Sequence, residues 1–113
     1  MQSTRTTPRF PFEAPAKVSQ GKKAGRSGSV RDISLYGCYL EFNSPYPAGT
    51  QLLLRIFSQN GIFESSAIVI YARPKLGMGL GFKDIKPQSV HVLEEWLVAA
   101  MRRRAEDFLK SDH

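Results

Sequence analysis

The alternation of apolar and polar residues, broken at short intervals by turn formers, constrains this chain more than any other feature. Strand side chains alternate faces, whereas helical ones return every three or four residues. Cys38, Leu40 and Phe42 alternate with Tyr39, Glu41 and Asn43. Leu52, Leu54 and Ile56 share one face of Gln51–Ser58, and Ile62–Arg73 is rich in Ile, Val and Tyr. Over Leu76–Phe82, Met78, Leu80 and Phe82 alternate with three glycines, a pattern that implies very close packing of another chain segment. Ala14–Gln20 and Ser29–Ser34 are shorter candidates. Between these runs lie a basic turn at Gly21–Gly28, a loop at Asn43–Thr50, a two-residue hairpin signal at Asn60-Gly61 and a turn at Pro74-Lys75. About six short antiparallel strands predict a mainly β domain that closes as a small barrel, leaving no free edge.

At Pro87 the period changes. Val90, Leu93, Leu97, Ala100 and Met101 recur at helical spacing, with Trp96 beside them, and Pro87 suits the first helical turn. The helix is expected to cover an open end or seam of the barrel. Arg102, Arg103 and Arg104 read as a solvated face, placed where the helix dipole favours cations. Residues 1–13 have no period, and Pro8 and Pro11 exclude regular helix. They are expected to form a flexible arm whose Phe10 and Phe12 dock on the body. The layout is therefore an arm over 1–13, a barrel over 14–86 and a helix over 87–113. At 113 residues this is one domain.

Composition narrows the chemistry. A formal net charge of +6 favours an anionic partner without choosing among nucleotide, nucleic acid, acidic protein and membrane surface. No apolar run is long enough to span a membrane, and no apolar run follows the N-terminus as in a signal peptide. Cys38 is the only cysteine, so no internal disulfide can form. The expected setting is cytoplasmic. No enzyme is expected: His91 and His113 are the only histidines, Cys38 lies on a core face, and no metal-ligand cluster appears. The glycine run at 77–81 lacks the spacing and the βαβ context of a dinucleotide-binding loop.

Two polar features stand apart from this frame. Asp32-Ile33-Ser34-Leu35-Tyr36-Gly37 falls at a strand end. Alternation puts Asp32 and Ser34 on one face while Ile33 anchors in the core, and Gly37 permits a close approach. Arg5-Thr6-Thr7-Pro8-Arg9 sets two guanidinium forks on the arm. An Arg fork bonds the O6/N7 edge of guanine or a phosphate, and a carboxylate accepts from guanine's N–H edge. Carboxylate, hydroxyl, glycine and two forks together suit a ligand with guanine edges and phosphates. A nucleic-acid-binding barrel would account for the charge, but not for Asp32, which repels phosphate. Arg31, Tyr71 and Arg73 are further candidates to line the site, though solvation on an edge strand is the simpler account of them.

These residues resemble the PilZ domain family. Arg5-Thr6-Thr7-Pro8-Arg9 matches its R-x-x-x-R motif, and Asp32 to Gly37 matches its D/N-x-S-x-x-G motif, in the family's order and separation. The Gly-Met-Gly-Leu-Gly-Phe run and the trailing helix are also similar to the family. The resemblance implies a six-stranded antiparallel PilZ-type barrel with a C-terminal helix, and a bacterial receptor for cyclic di-GMP, a ligand rather than a cofactor. It implies that Arg5 and Arg9 hold guanine edges and phosphates, that Asp32 accepts from a guanine N–H, that Ser34 bonds ligand or loop, and that Gly37 keeps the surface open. Thr4, before the first motif arginine, leaves open whether one ligand or an intercalated pair binds. The receptor is expected to clamp its arm on ligand and signal to a downstream protein partner. An adaptor that keeps the fold without binding ligand is the remaining alternative, and such members usually lack one or both motifs.

Overall fold

The computed structural model describes residues 7–111. Six strands, β1 (Phe10–Ser19), β2 (Arg26–Ile33), β3 (Gly37–Glu41), β4 (Gln51–Ser58), β5 (Gly61–Arg73) and β6 (Gly77–Ile85), precede one helix, α1 (Pro87–Ser111). Every pairing is antiparallel, and the strands close a barrel in the order β1-β2-β3-β6-β5-β4. The expected fold class is the observed one.

The inward residues are those the alternation marked. Val18, Val30, Ile33, Cys38, Leu40, Leu54, Ile56, Phe63, Val69 and Met78 are all buried. The three glycines of β6 face outward; the Leu40 carbonyl of β3 and the Tyr39 ring crowd Gly77, and side chains of β5 lie over Gly79 and Gly81. A Cβ on Gly79 would collide with the Tyr71 ring, and one on Gly81 would come within 3.1 Å of Ile70 Cδ1.

The first strand starts earlier than expected. Residues 10–13, assigned to the arm because of the prolines, belong to β1. Pro11 and Pro15 fall where β1 pairs with β2 alone, since pairing with β4 begins at Ala16. A missing N–H on the unpaired side costs no ladder bond. The hairpin turn is also shifted by one residue from the expected Asn60-Gly61. Ser58 stands opposite Gly61, so Gln59-Asn60 forms the turn, and Gly61 takes a φ of 152° that a side chain would resist.

α1 lies across the seam where β1 leaves β4. Its first turns are fixed by Ser89, whose hydroxyl accepts from the Glu64 backbone N–H at 2.8 Å. Leu93 and Trp96 are buried against the barrel, and Trp96 packs on Phe12 with ring centroids 4.9 Å apart. Beyond Ala100 the side chains are exposed through Lys110.

Candidate functional site

The β1–β2 ladder builds the site. Phe10 stands opposite Ile33 and Pro11 opposite Asp32, which sets the residue before the strand beside the carboxylate. Arg9 Nε donates to Asp32 Oδ1 at 3.0 Å, and Nη2 lies 2.9 Å from the same oxygen. The second arginine of one motif thus meets the acidic residue of the other, 23 residues on. Arg5 lies outside the described residues.

A bulge in β2, between Val30 and Asp32, aims these groups. Val30 and Ile33 are both fully buried, so the two residues between them look outward together. Arg31 bonds Glu41 at 2.7 Å and lies 3.9 Å from Glu13, both exposed carboxylates.

Ser34 does not share the outward face with Asp32, contrary to simple alternation. It is 3 % exposed. Its hydroxyl accepts from the N–H groups of Tyr36 and Gly37, each at 3.2 Å, and donates to the Gly37 carbonyl at 3.3 Å. β2 ends at Ile33, the period of two ends with it, and Ser34 folds a tight turn that displays Leu35 and Tyr36. Gly37 likewise does not open a surface. It pairs with Gly81, and a Cβ there would collide with the Leu80 carbonyl oxygen. Glycine at 37 lets β3 approach β6.

Cys38 lies beneath this surface, fully buried. Burial, reinforced by the Asp32 carboxylate, pushes its thiol up to about 12, while the Arg9 guanidinium pulls the other way. A thiol so held is a core residue rather than a nucleophile.

One contact has no counterpart among the sequence expectations. Arg104, expected on a solvated face, reaches back from α1: its Nη2 donates to the Arg9 carbonyl at 2.8 Å, and its guanidinium stands 4.2 Å from the centre of the Phe10 ring. The signal was present, because Leu93, Trp96, Ala100 and Arg104 continue one helical stripe. A charge at the end of that stripe has a stem and a fork that suit a ring and a carbonyl as well as solvent.

The PilZ domain family matches residues 3–99. The chain belongs to that family. Its fold is shared by the PilZ domain of YcgR from Escherichia coli, solved with c-di-GMP, at 15 % identity and a TM-score of 0.73 over 94 % of this chain and 98 % of that one. The MrkH–c-di-GMP complex of K. pneumonia is similar at 16 % identity and TM-score 0.73, over 92 % of this chain and 55 % of that one. The inhibitor of motility MotI/DgrA of Bacillus subtilis is similar at 17 % identity and TM-score 0.71, over 91 % and 52 %. This PilZ chain thus spans about half the length of the last two. No curated protein matches the chain. Among the described residues no helix is long and apolar enough to cross a membrane, and no group of His, Cys, Asp and Glu could hold a metal ion.

Proposed function

We propose that this PilZ domain is a receptor for cyclic di-GMP, with Arg5, Arg9 and Asp32 as the ligand-contacting groups of the two motifs. The observation that carries this reading is the meeting of Arg9 with Asp32 in a chain of this family. Both groups are partly exposed, at 48 % and 35 %, so a ligand can reach each. The pair holds the fork and the acceptor side by side. Ligand then exchanges the partners: Arg9 turns to a phosphate or to the O6/N7 edge of a guanine, and Asp32 accepts from the N–H edge. Releasing an exposed ion pair costs about 1 kcal/mol or less. Micromolar affinity needs about −8 kcal/mol, which a few charge-assisted bonds can supply. Ser34 and Gly37 act through the loop, by shaping the turn that follows Asp32.

In this reading the N-terminal arm is what ligand rearranges, and the arm carries the signal to a protein partner. The domain acts by binding rather than by catalysis. Calorimetric titration with cyclic di-GMP tests the assignment and gives the stoichiometry. Arg9→Ala and Asp32→Ala should each weaken binding more than tenfold, with the thermal midpoint nearly unchanged. Wild-type affinity in either variant would refute the site.

A further inference from the structure

Strand direction sorts the connections of the barrel into two ends. β1, β3 and β5 all run toward one end, so residues 20–25, 42–50 and 74–76 join strands there. Residues 34–36 and 59–60, the departure to α1 and the Arg9–Asp32 pair lie at the other end.

The two ends differ in charge. α1 balances itself, with four acidic and four basic side chains. The three connections at the far end contain no Asp or Glu, and Lys22, Lys23 and Lys75 stand exposed in them. Arg26, the first residue of β2, is exposed beside them. Among the described residues none of these four forms an ion pair, whereas Asp32, Glu41 and Glu64 elsewhere on the barrel each hold an arginine.

This end is also held in shape. The Arg26 guanidinium lies 4.7 Å from the centre of the Phe42 ring and 5.4 Å from that of Tyr46. Pro45 and Pro47 bracket Tyr46 and stiffen its loop. The Phe42 N–H donates to the Leu76 carbonyl at 3.0 Å, which ties that loop to the turn at 74–76. In the turn Lys75 takes a φ of 66°, the one positive value outside glycine among the described residues. Glycine or asparagine would adopt that conformation more readily, so the turn does not account for the lysine. Leu76 beside it is 62 % exposed. A cleft of about 510 Å³ opens between this turn and β2, lined by Ser27, Ser29, Asn43, Lys75 and by Glu41, whose carboxylate Arg31 already holds.

Unpaired ammonium groups, with hydroxyls and an amide at a cleft, suit phosphate-bearing anions. A soluble polyanion gives the exposed leucine no place to go. A single-stranded nucleic acid needs open rings on which to stack, and the two rings at this end lie under Arg26. A bilayer surface meets both features, with phosphates for the cations and an apolar layer just beneath them for Leu76.

We propose that the end of the barrel formed by residues 20–25, 42–50 and 74–76 docks on an anionic lipid bilayer. Lys22, Lys23 and Lys75 meet headgroup phosphates, one of which enters the cleft beside Ser27 and Ser29, and Leu76 dips into the acyl boundary. The Arg9–Asp32 pair, at the opposite end, then faces away from the lipid and stays open. This docking does not depend on the receptor reading given above.

Co-sedimentation of the full chain tests it, using vesicles of phosphatidylcholine alone and vesicles with equimolar phosphatidylglycerol. Only the anionic vesicles should bind, and less so as salt rises. Each cation at the surface contributes about fivefold, so the triple variant Lys22→Gln, Lys23→Gln, Lys75→Gly should partition about a hundredfold less. Glycine at 75 suits the turn, so the thermal midpoint should not fall. Leu76→Ser should partition several-fold less at low and high salt alike, because apolar insertion is not screened. Lys83→Gln with Lys86→Gln, on the half of the barrel nearer α1, should leave partitioning nearly unchanged. If the triple variant does not fold, amide exchange of the wild-type chain decides. Anionic vesicles should slow residues 22–25 and 75–76 and leave 34–36 as they were, and unslowed loops would overturn the docking. Equal binding to both kinds of vesicle, or wild-type partitioning in the triple variant, would overturn it too. Loss in the triple variant with none in Leu76→Ser would overturn the bilayer as the occupant, in favour of a soluble polyanion.

Discussion

Cys38 belongs to the core, yet the Arg9 and Asp32 charges act on it through the wall of the barrel. Its thiol is held up to about 12 from a reference of 9.0, first by burial and then by Asp32. The folded state therefore keeps a proton that the unfolded chain gives up. Below pH 9 the thiol is neutral in both states and its contribution to stability is complete. Between pH 9 and 12 the unfolded chain alone ionises, so this contribution falls as pH rises, by about 1.4 kcal/mol per pH unit. Urea unfolding of the wild type and of Cys38→Ala at pH 7, 9 and 10.5 measures it. The variant should start lower because of its small cavity, and the gap between the two should narrow above pH 9. A gap independent of pH would show that the thiol is not protected. At this scale the sequence was only half legible. Asp32 and Arg9 could be named from their chemistry and spacing. The roles of Ser34 and Gly37 could not, because a tight turn and a close strand approach follow no period. What fixes Ser34 is two N–H groups converging on its hydroxyl, and what fixes Gly37 is a carbonyl of β6.

Among elements, β1 and α1 are coupled at their far ends. α1 packs on the barrel through its first half, but Arg104, two turns past Trp96, also holds the carbonyl of Arg9 and the ring of Phe10. Strand β1 has no β4 partner before Ala16, so this contact supports its start on that side. Arg104→Ala removes one exposed hydrogen bond and one cation–π contact, together about 1 kcal/mol. Amide exchange at Phe10 and Phe12 should then run about fivefold faster, with β4 and β5 unchanged. Arg102→Ala, on another face of the helix, should leave the same amides as they were. Equal exchange in the Arg104 variant would mean that the contact does not restrain the strand. Strand and helix types were readable from their periods, whereas this link was not. It joins residues 95 apart, and no local pattern reports such a pairing. The limits of β1 were obscured for the same reason, since a proline is tolerated or not according to a neighbour that the sequence does not display.

The molecule as a whole is longer than its barrel. Its radius of gyration is 14.6 Å and its extents are 50 × 32 × 29 Å, against about 13 Å for a compact chain of this length. The excess lies in α1, whose side chains from Met101 to Lys110 are all exposed. The helix is nevertheless anchored well before that point, by Ser89, Leu93 and Trp96. Barrel closure depends on β3 meeting β6 and β1 meeting β4, both inside residues 10–85. A chain ending at Ala100 should therefore keep the barrel and lose, with the distal half of the helix, the Arg104 contact to β1. Its thermal midpoint should fall by about 5 °C, the shift that roughly 1 kcal/mol produces in a domain of this size. Its radius of gyration in solution scattering should drop toward about 13 Å. Its exchange at Phe10 and Phe12 should match that of Arg104→Ala in the full chain. A cooperative loss of the barrel on truncation would show instead that the exposed half of α1 is needed for the fold.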